Sequence, residues 1–170
     1  MKIFYFVQIV GLIGFLICSY GFTRSEDKKL KIFVGIGTTI IATHFYFMGA
    51  FSASVAALIA SSRYLFAYKN NKKWNKVICL MYILFYIVAA YFTAKFPIDF
   101  LPLVAGVIST ISLFLLKSIL MRVGILTTSF LWLIHNVHKH SLGGIALEIM
   151  VISTNIFTII KLSKDKKKIK

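Results

Sequence analysis

Trp132-Leu-Ile-His-Asn-Val-His-Lys-His-Ser-Leu-Gly-Gly-Ile-Ala-Leu-Glu148 is a short polar corner between two long apolar runs. Trp132, His135 and Asn136 fall inside the first run, and Glu148 falls inside the second. Runs of about 18 or more apolar residues read as membrane helices. A carboxylate within such a run must pair, protonate or face water, and it marks a functional site by default. The corner therefore identifies its flanks as membrane spans and its polar residues as the place to look for a site.

Working outward, the rest of the chain has the same character. Of 170 residues, 59% are hydrophobic, and the mean hydropathy is +0.85. A soluble domain does not expose that much apolar surface, so the class is all-α, polytopic and without a soluble domain. The formal charge of +15 invites a nucleic-acid reading. That reading is set aside because the basic residues occupy short loops and the C-terminal tail, which has a topological cause. Cys18 and Cys79 lie in apolar runs with no metal or redox spacing, and read as small buried hydrophobes. One Lys and about 20 apolar residues open the chain without a small-x-small cleavage site, which indicates a retained span.

Seven spans follow: 3–22, 30–47, 50–66, 77–94, 100–116, 119–137 and 142–160. With seven spans, the first, third and fifth loops share a side with the C-terminus. That side holds 17 of the 20 Lys and Arg residues, including Arg24, Arg63, Arg122, the run from Lys69 to Lys76 and six tail lysines. Only Lys2, Lys95 and Lys139 fall on the other side. Positive residues favour the cytoplasm, so the N-terminus is expected outside and the C-terminus inside. The tail, 163–170, is short and charged and is expected to be disordered, in reach of anionic lipid.

A faint internal repeat runs through these spans. Gly35-Ile-Gly-Thr-Thr39 opens the second span and Gly124-Ile-Leu-Thr-Thr128 opens the sixth. Ser61-Ser62 similarly matches Ser153-Thr154. The expected organisation is one transmembrane domain made of repeat one (1–66), a linker helix (77–94), repeat two (100–160) and a basic tail (161–170). Parallel repeats about an axis along the membrane normal are one of the transporter designs.

Depth groups the polar residues. Gln8, His44, Trp132, Asn136 and Glu148 all fall within about 10 Å of the outer face by helical rise. They are expected to line one outward-facing cavity, with Glu148 inside it near the level of His44. Trp132 and Asn136 are four apart and share a helix face. Asn155 sits nearer mid-membrane, with Ser153 and Thr154 beside it. Blander readings stand alongside. Gln8 and Asn155 could simply bond across helices, and Trp132 could belong to an interfacial aromatic belt. His135, His138 and His140 could be solvated by the outer loop, without the spacing of a metal site. Arg63 and Arg122 could snorkel to the inner face. The natural partner of Glu148 would be His44 or an Arg. Gly11 with Gly14, and Gly35 with Gly37, permit close helix packing. Nothing resembles an enzyme: there is no Ser-His-Asp set, no close carboxylate pair, no phosphate-binding Gly loop and no HExxH.

Several marks together resemble the YgjV family of bacterial inner-membrane proteins. They are Gln8-x-x-Gly11, His44 followed by Gly49-Ala50, Arg63, Leu101-Pro102, Arg122, Trp132-x-x-x-Asn136, Gly143-Gly144, Glu148 and Ser153. His135 departs from the aromatic that commonly precedes the Asn, and Lys161 from the usual Arg. The resemblance implies an inner-membrane address, with a periplasmic N-terminus and a cytoplasmic C-terminus, and names no substrate. The three-plus-one-plus-three layout is also similar at fold level to the SWEET and PnuC transporters, although the Pro-Gln pair of PQ-loop proteins is absent. The functional expectation is a small-solute transporter or facilitator. Trp132, Asn136 and Asn155 would contact a small polar ring, and Gln8, His44 and Glu148 would complete the cavity. The alternative is a structural or accessory membrane protein whose polar residues only join helices. No cofactor or metal is called for. The expected partners are a small polar solute and the lipid bilayer, with no nucleic acid, and the sequence is compatible with a homo-oligomer.

Overall fold

The computed structural model describes residues 2–22, 24, 26–69 and 75–168, with side chains for 5–22, 24, 26, 29–66 and 75–164. Lys72, Lys73 and Lys170, which the topology argument used, lie outside the described residues. Seven helices follow in order: α1 Lys2–Phe22, α2 Asp27–Phe47, α3 Phe51–Lys69, α4 Asn75–Thr93, α5 Pro97–Leu115, α6 Ser118–His138 and α7 Leu142–Lys168. Six are long and apolar enough to cross a membrane, and α3 adds a shorter apolar stretch over Phe51–Phe66. The protein is thus an all-helical, seven-helix polytopic membrane protein. The tail departs from expectation, since α7 continues as helix through Lys168. Lysine is a good helix former, and cations are favourable at a helix C-terminus.

Helix contacts close into a ring. Each of α1–α2, α2–α3, α3–α5, α5–α6, α6–α7 and α7–α1 is a packed pair, while α4 lies outside against α3 and α5. Below, the end bearing the N-terminus and the α2–α3, α4–α5 and α6–α7 turns is called the N-terminal face. The other end is called the basic face.

Small residues set the spacing. Ala42, Ala50, Ala53 and Ala57 pack with Cys18, Ile41 and Phe45 into one cluster, and Ala56, Tyr86, Ala89 and Leu103 into a second. Trp132 touches both clusters. Without a hydrophobic force between helices in lipid, such close packing and interhelical hydrogen bonds do the joining. Ser61, for example, donates to the Gly35 carbonyl at 2.8 Å and meets the Thr39 hydroxyl at 2.7 Å. Ser153, which the sequence aligns with Ser61, is exposed and bonds within α7 to Ile149. Large apolar side chains are exposed on the outside of the helices, as at Leu80, Tyr91 and Phe157.

Two of the turns have the same design. After α2, Ala50 N–H reaches the Phe45 carbonyl and Gly49 N–H reaches that of Tyr46, with Gly49 at φ +72°. After α6, Ser141 N–H reaches the Asn136 carbonyl and His140 N–H reaches that of Val137, with His140 at φ +54°. Both are Schellman closures, which need one left-handed residue.

Candidate functional site

The ring encloses a cavity of about 780 Å³. A stripe of α6 forms one wall: Arg122, Ile125, Ser129, Trp132 and Asn136, at steps of three and four. Gly144, Glu148, Val151 and Asn155 of α7 line the next wall. These spacings place each set on one helix face. Phe45, Arg63, Tyr64, Ser109 and Cys18 contribute from α2, α3, α5 and α1.

Four of the residues expected at a site are therefore together on the cavity wall: Trp132, Asn136, Glu148 and Asn155. Trp132 stacks on Phe45, with ring centroids 5.7 Å apart and planes 18° apart. It is thus a wall aromatic, with one face on Phe45. Asn136 is fully buried, with its side chain over Gly144, and its Oδ1 has no hydrogen-bond partner. Asn155 Nδ2 donates to the Val151 carbonyl at 2.9 Å, and its Oδ1 accepts from Arg122 Nη1 at 3.4 Å. Thr154 also lines the cavity, whereas Ser153 is exposed on the outside of α7.

Glu148 faces the interior, as expected, but its partner differs. Its polar neighbour is the Ser129 hydroxyl of α6, which shares the cavity wall. Among the described residues the ion pairs are Lys29–Glu26 and Lys139–Asp99, so neither His44 nor an Arg neutralises it. Glu148 is also deeper than His44. His44 contacts Ser141, seven residues before Glu148, which is about 10 Å along a helix.

Gln8 and His44 do not line the cavity, and the expectation that they would is corrected here. They form a buried clasp between α1, α2 and the α6–α7 turn. His44 Nδ1 donates to the Val7 carbonyl at 2.8 Å, and His44 Nε2 meets the Ser141 hydroxyl at 2.8 Å. A carbonyl only accepts, so in the neutral ring Nε2 accepts from Ser141. Ser141 Oγ then accepts the Gly144 N–H at 3.2 Å, capping α7. Gln8 Nε2 donates to the His140 carbonyl at 2.9 Å while its Oε1 accepts Leu142 N–H at 3.0 Å. Glycine makes this possible. A Cβ at Gly11 would lie 2.9 Å from the His44 ring, and one at Gly143 would collide with the Gly11 carbonyl.

The clasp lies on the N-terminal side of the cavity, with His135 beside it. Neither His135 ring nitrogen has a hydrogen-bond partner of good geometry, and its ring meets Phe45 and Trp132 edge-on. His135 is completely buried, while His138 and His140 are exposed. Ser52 Oγ, in the first turn of α3, is likewise buried and unpartnered. In the other direction the cavity extends past Asn155 to Phe22, Lys31 and Arg122 at the basic face. It is not confined to the half of the spans nearer the N-terminal face, where the sequence had put it. Among the described residues no three His, Cys, Asp or Glu side chains come together as metal ligands.

Residues 5–166 match a protein family, Imp-YgjV, described as a bacterial inner membrane protein. The chain belongs to the YgjV family. One YgjV relative, the inner membrane protein YgjV of Escherichia coli (strain K12), is 27% identical over 170 residues, covering 99% of this chain and 90% of the relative. No solved structure matches the chain. Membership and the apolar helices together make this YgjV protein a multi-pass protein of the bacterial inner membrane.

Sequence reading passed over several members of the YgjV cavity wall. Ser129 was findable, because it continues the Trp132–Asn136 stripe three residues earlier. Arg63, for which snorkelling is the bland alternative, is 4% exposed and turned inward, hydrogen bonded to Ser109 and Thr110 of α5. Arg122 is likewise bonded inward, to Asn155. Nothing in the sequence pointed to Tyr64 or Ser109.

Proposed function

We propose that this protein moves or facilitates the movement of a small polar solute across the inner membrane, through the cavity inside its six-helix ring. The observation that carries the reading is the cavity itself: about 780 Å³, within the apolar spans, with polar side chains on its wall. Pockets of 300–1,000 Å³ with a few oriented polar groups are typical of small-ligand sites. A protein whose polar residues served only to join helices would be expected to pair them with one another. Here Trp132, Asn136 and Glu148 line the cavity, and Asn136 Oδ1 has no hydrogen-bond partner among the described residues. Trp132, backed by Phe45, offers a stacking surface; Asn136 and Asn155 offer amides. No catalytic step is part of this reading.

The two three-helix units are part of the proposal. Their matched Schellman turns, at Gly49 and His140, and the reciprocal contacts of α1 with α7 and α3 with α5 support a parallel repeat around the cavity. One unit rocking on the other would then expose the cavity to alternate faces. The test is solute uptake into vesicles containing the purified protein, using a panel of sugars, nucleosides, vitamins and small organic acids. Uptake of one class is expected, and it should fall at least tenfold in Trp132→Ala. Absence of flux across the whole panel would overturn the reading.

A further inference from the structure

The charges on the cavity wall do not balance. Arg63 of α3 and Arg122 of α6 both line it, against one carboxylate among the described residues, that of Glu148. A guanidinium stays charged in proteins. Arg63 Nη1 is held by the Ser109 hydroxyl at 2.9 Å and the Thr110 hydroxyl at 2.7 Å. Those hydroxyls send their own protons to the Gly106 carbonyl, at 3.0 and 2.7 Å, so their lone pairs face the arginine. Arg63 Nε has no hydrogen-bond partner among the described residues. Arg122 Nη1 donates to the Asn155 amide oxygen, at 3.4 Å. Neither arginine has a carboxylate within ion-pairing distance among the described residues. Hydroxyls and amides orient a buried guanidinium without neutralising it, and an uncompensated charge at this depth is strongly unfavourable. A structural tie between α3 and α5 could be made with neutral side chains. A fixed cationic fork on the wall of a cavity is the arrangement that recognises carboxylate and phosphate groups.

We infer that the cavity takes a small anion, its carboxylate or phosphate group held by Arg63 with Arg122 near it toward the basic face. The assignment rests on the reading of the cavity as a solute site and supplies its substrate class. The anionic group has two available sources, a free solute or the phosphate of a lipid headgroup, and the test separates them.

The purified protein in neutral detergent is titrated with succinate, inorganic phosphate, glucose 6-phosphate, glucose and choline. A separate arm uses a short-chain phosphatidylglycerol. Melting temperature and calorimetry are the readouts. Saturable stabilisation by one or more of the free anions, and none by glucose or choline, is expected and assigns a free solute. Stabilisation confined to phosphatidylglycerol keeps the anion site and assigns a lipid. In Arg63→Gln the affinity should fall about 30-fold or more, as for loss of one partner of a buried charge pair. Should that variant fail to fold, Arg63→Lys keeps the positive charge but lacks the planar fork, and Arg122→Gln leaves the tie between α3 and α5 untouched. Both should weaken anion binding while glucose remains without effect. Equal stabilisation by glucose, no response to any anion, or anion affinity unchanged in the folded variants would overturn the inference. Binding needs no membrane, so anion binding without flux would sink only the transport reading. Flux of a neutral solute without anion binding would sink only this one.

Discussion

His44 on α2 and Ser141 at the head of α7, 97 residues apart in the chain, meet Nε2 to Oγ at 2.8 Å, both fully buried. The bond ties one half of the chain to the other. Ser141 also caps α7, so its hydroxyl serves two contacts. Ser141→Ala is therefore expected to destabilise the protein by about 1–3 kcal/mol, from the lost cap and the unpaired histidine nitrogen. His44→Ala should be worse, because it also leaves a cavity, at about 2–4 kcal/mol. The double variant should be less damaging than the sum, with a coupling of at least about 0.5 kcal/mol. Unfolding in mixed detergent measures all three, and simple additivity would show that the bond is incidental.

His140 occupies a left-handed backbone position, φ +54°, that Gly49 fills at the matching turn. Its side chain is exposed, and what it offers Gln8 is the backbone carbonyl. His140→Gly should therefore keep the clasp and relieve the left-handed penalty. It is expected to stabilise the protein by about 0.5–1 kcal/mol, the gain reduced by the extra freedom glycine has when unfolded. A fall in melting temperature would mean that the imidazole has a role of its own.

Glu148→Gln keeps the side-chain shape and an oxygen that can accept from Ser129. It removes an ionisable group that has no cationic partner among the described residues. Stability should change by less than about 1 kcal/mol. If uptake is proton-coupled, its pH dependence should disappear in this variant while uptake itself persists at one level. Uptake profiles that superpose for the two proteins would remove Glu148 from any coupling mechanism.

With seven spans, 17 of the 20 basic residues group with the C-terminus, and the positive-inside rule predicts that this end is cytoplasmic. A fluorescent protein fused at the C-terminus should fold and fluoresce, and alkaline phosphatase fused there should stay inactive. The reverse pattern would require the N-terminus to be cytoplasmic.

The helices were legible because an apolar run about as long as a bilayer is thick has few other uses. The corner at 132–148 was legible for the same reason, since polar groups inside such runs stand out. What depth could not supply was direction. Gln8 and His44 were placed at the right level, but whether each points to a cavity or to a neighbouring helix depends on packing that a uniformly apolar helix does not encode. Arg63 shows the converse. It looked terminal because the apolar run ends at Phe66, but α3 continues to Lys69, six residues or about 9 Å further. Its inward turn is set by Ser109 and Thr110, 46 and 47 residues away. The helical tail was missed because composition argued for disorder, and lysine tolerates either state.

Among the described residues, three of the five with an unpartnered buried polar atom, Ser52, His135 and Asn136, belong to the last turn of α6 and the first turn of α3, at the N-terminal face. Aromatic contacts among Phe45, Trp132 and His135 hold this layer, and its own hydrogen-bonding capacity goes unused. Entry of water would satisfy atoms that dry packing leaves unsatisfied, so wetting opposes the loss of those aromatic contacts. The hydrogen-bonded clasp at His44, by contrast, has nothing to gain from water. The two halves of the same layer thus respond to hydration in opposite senses.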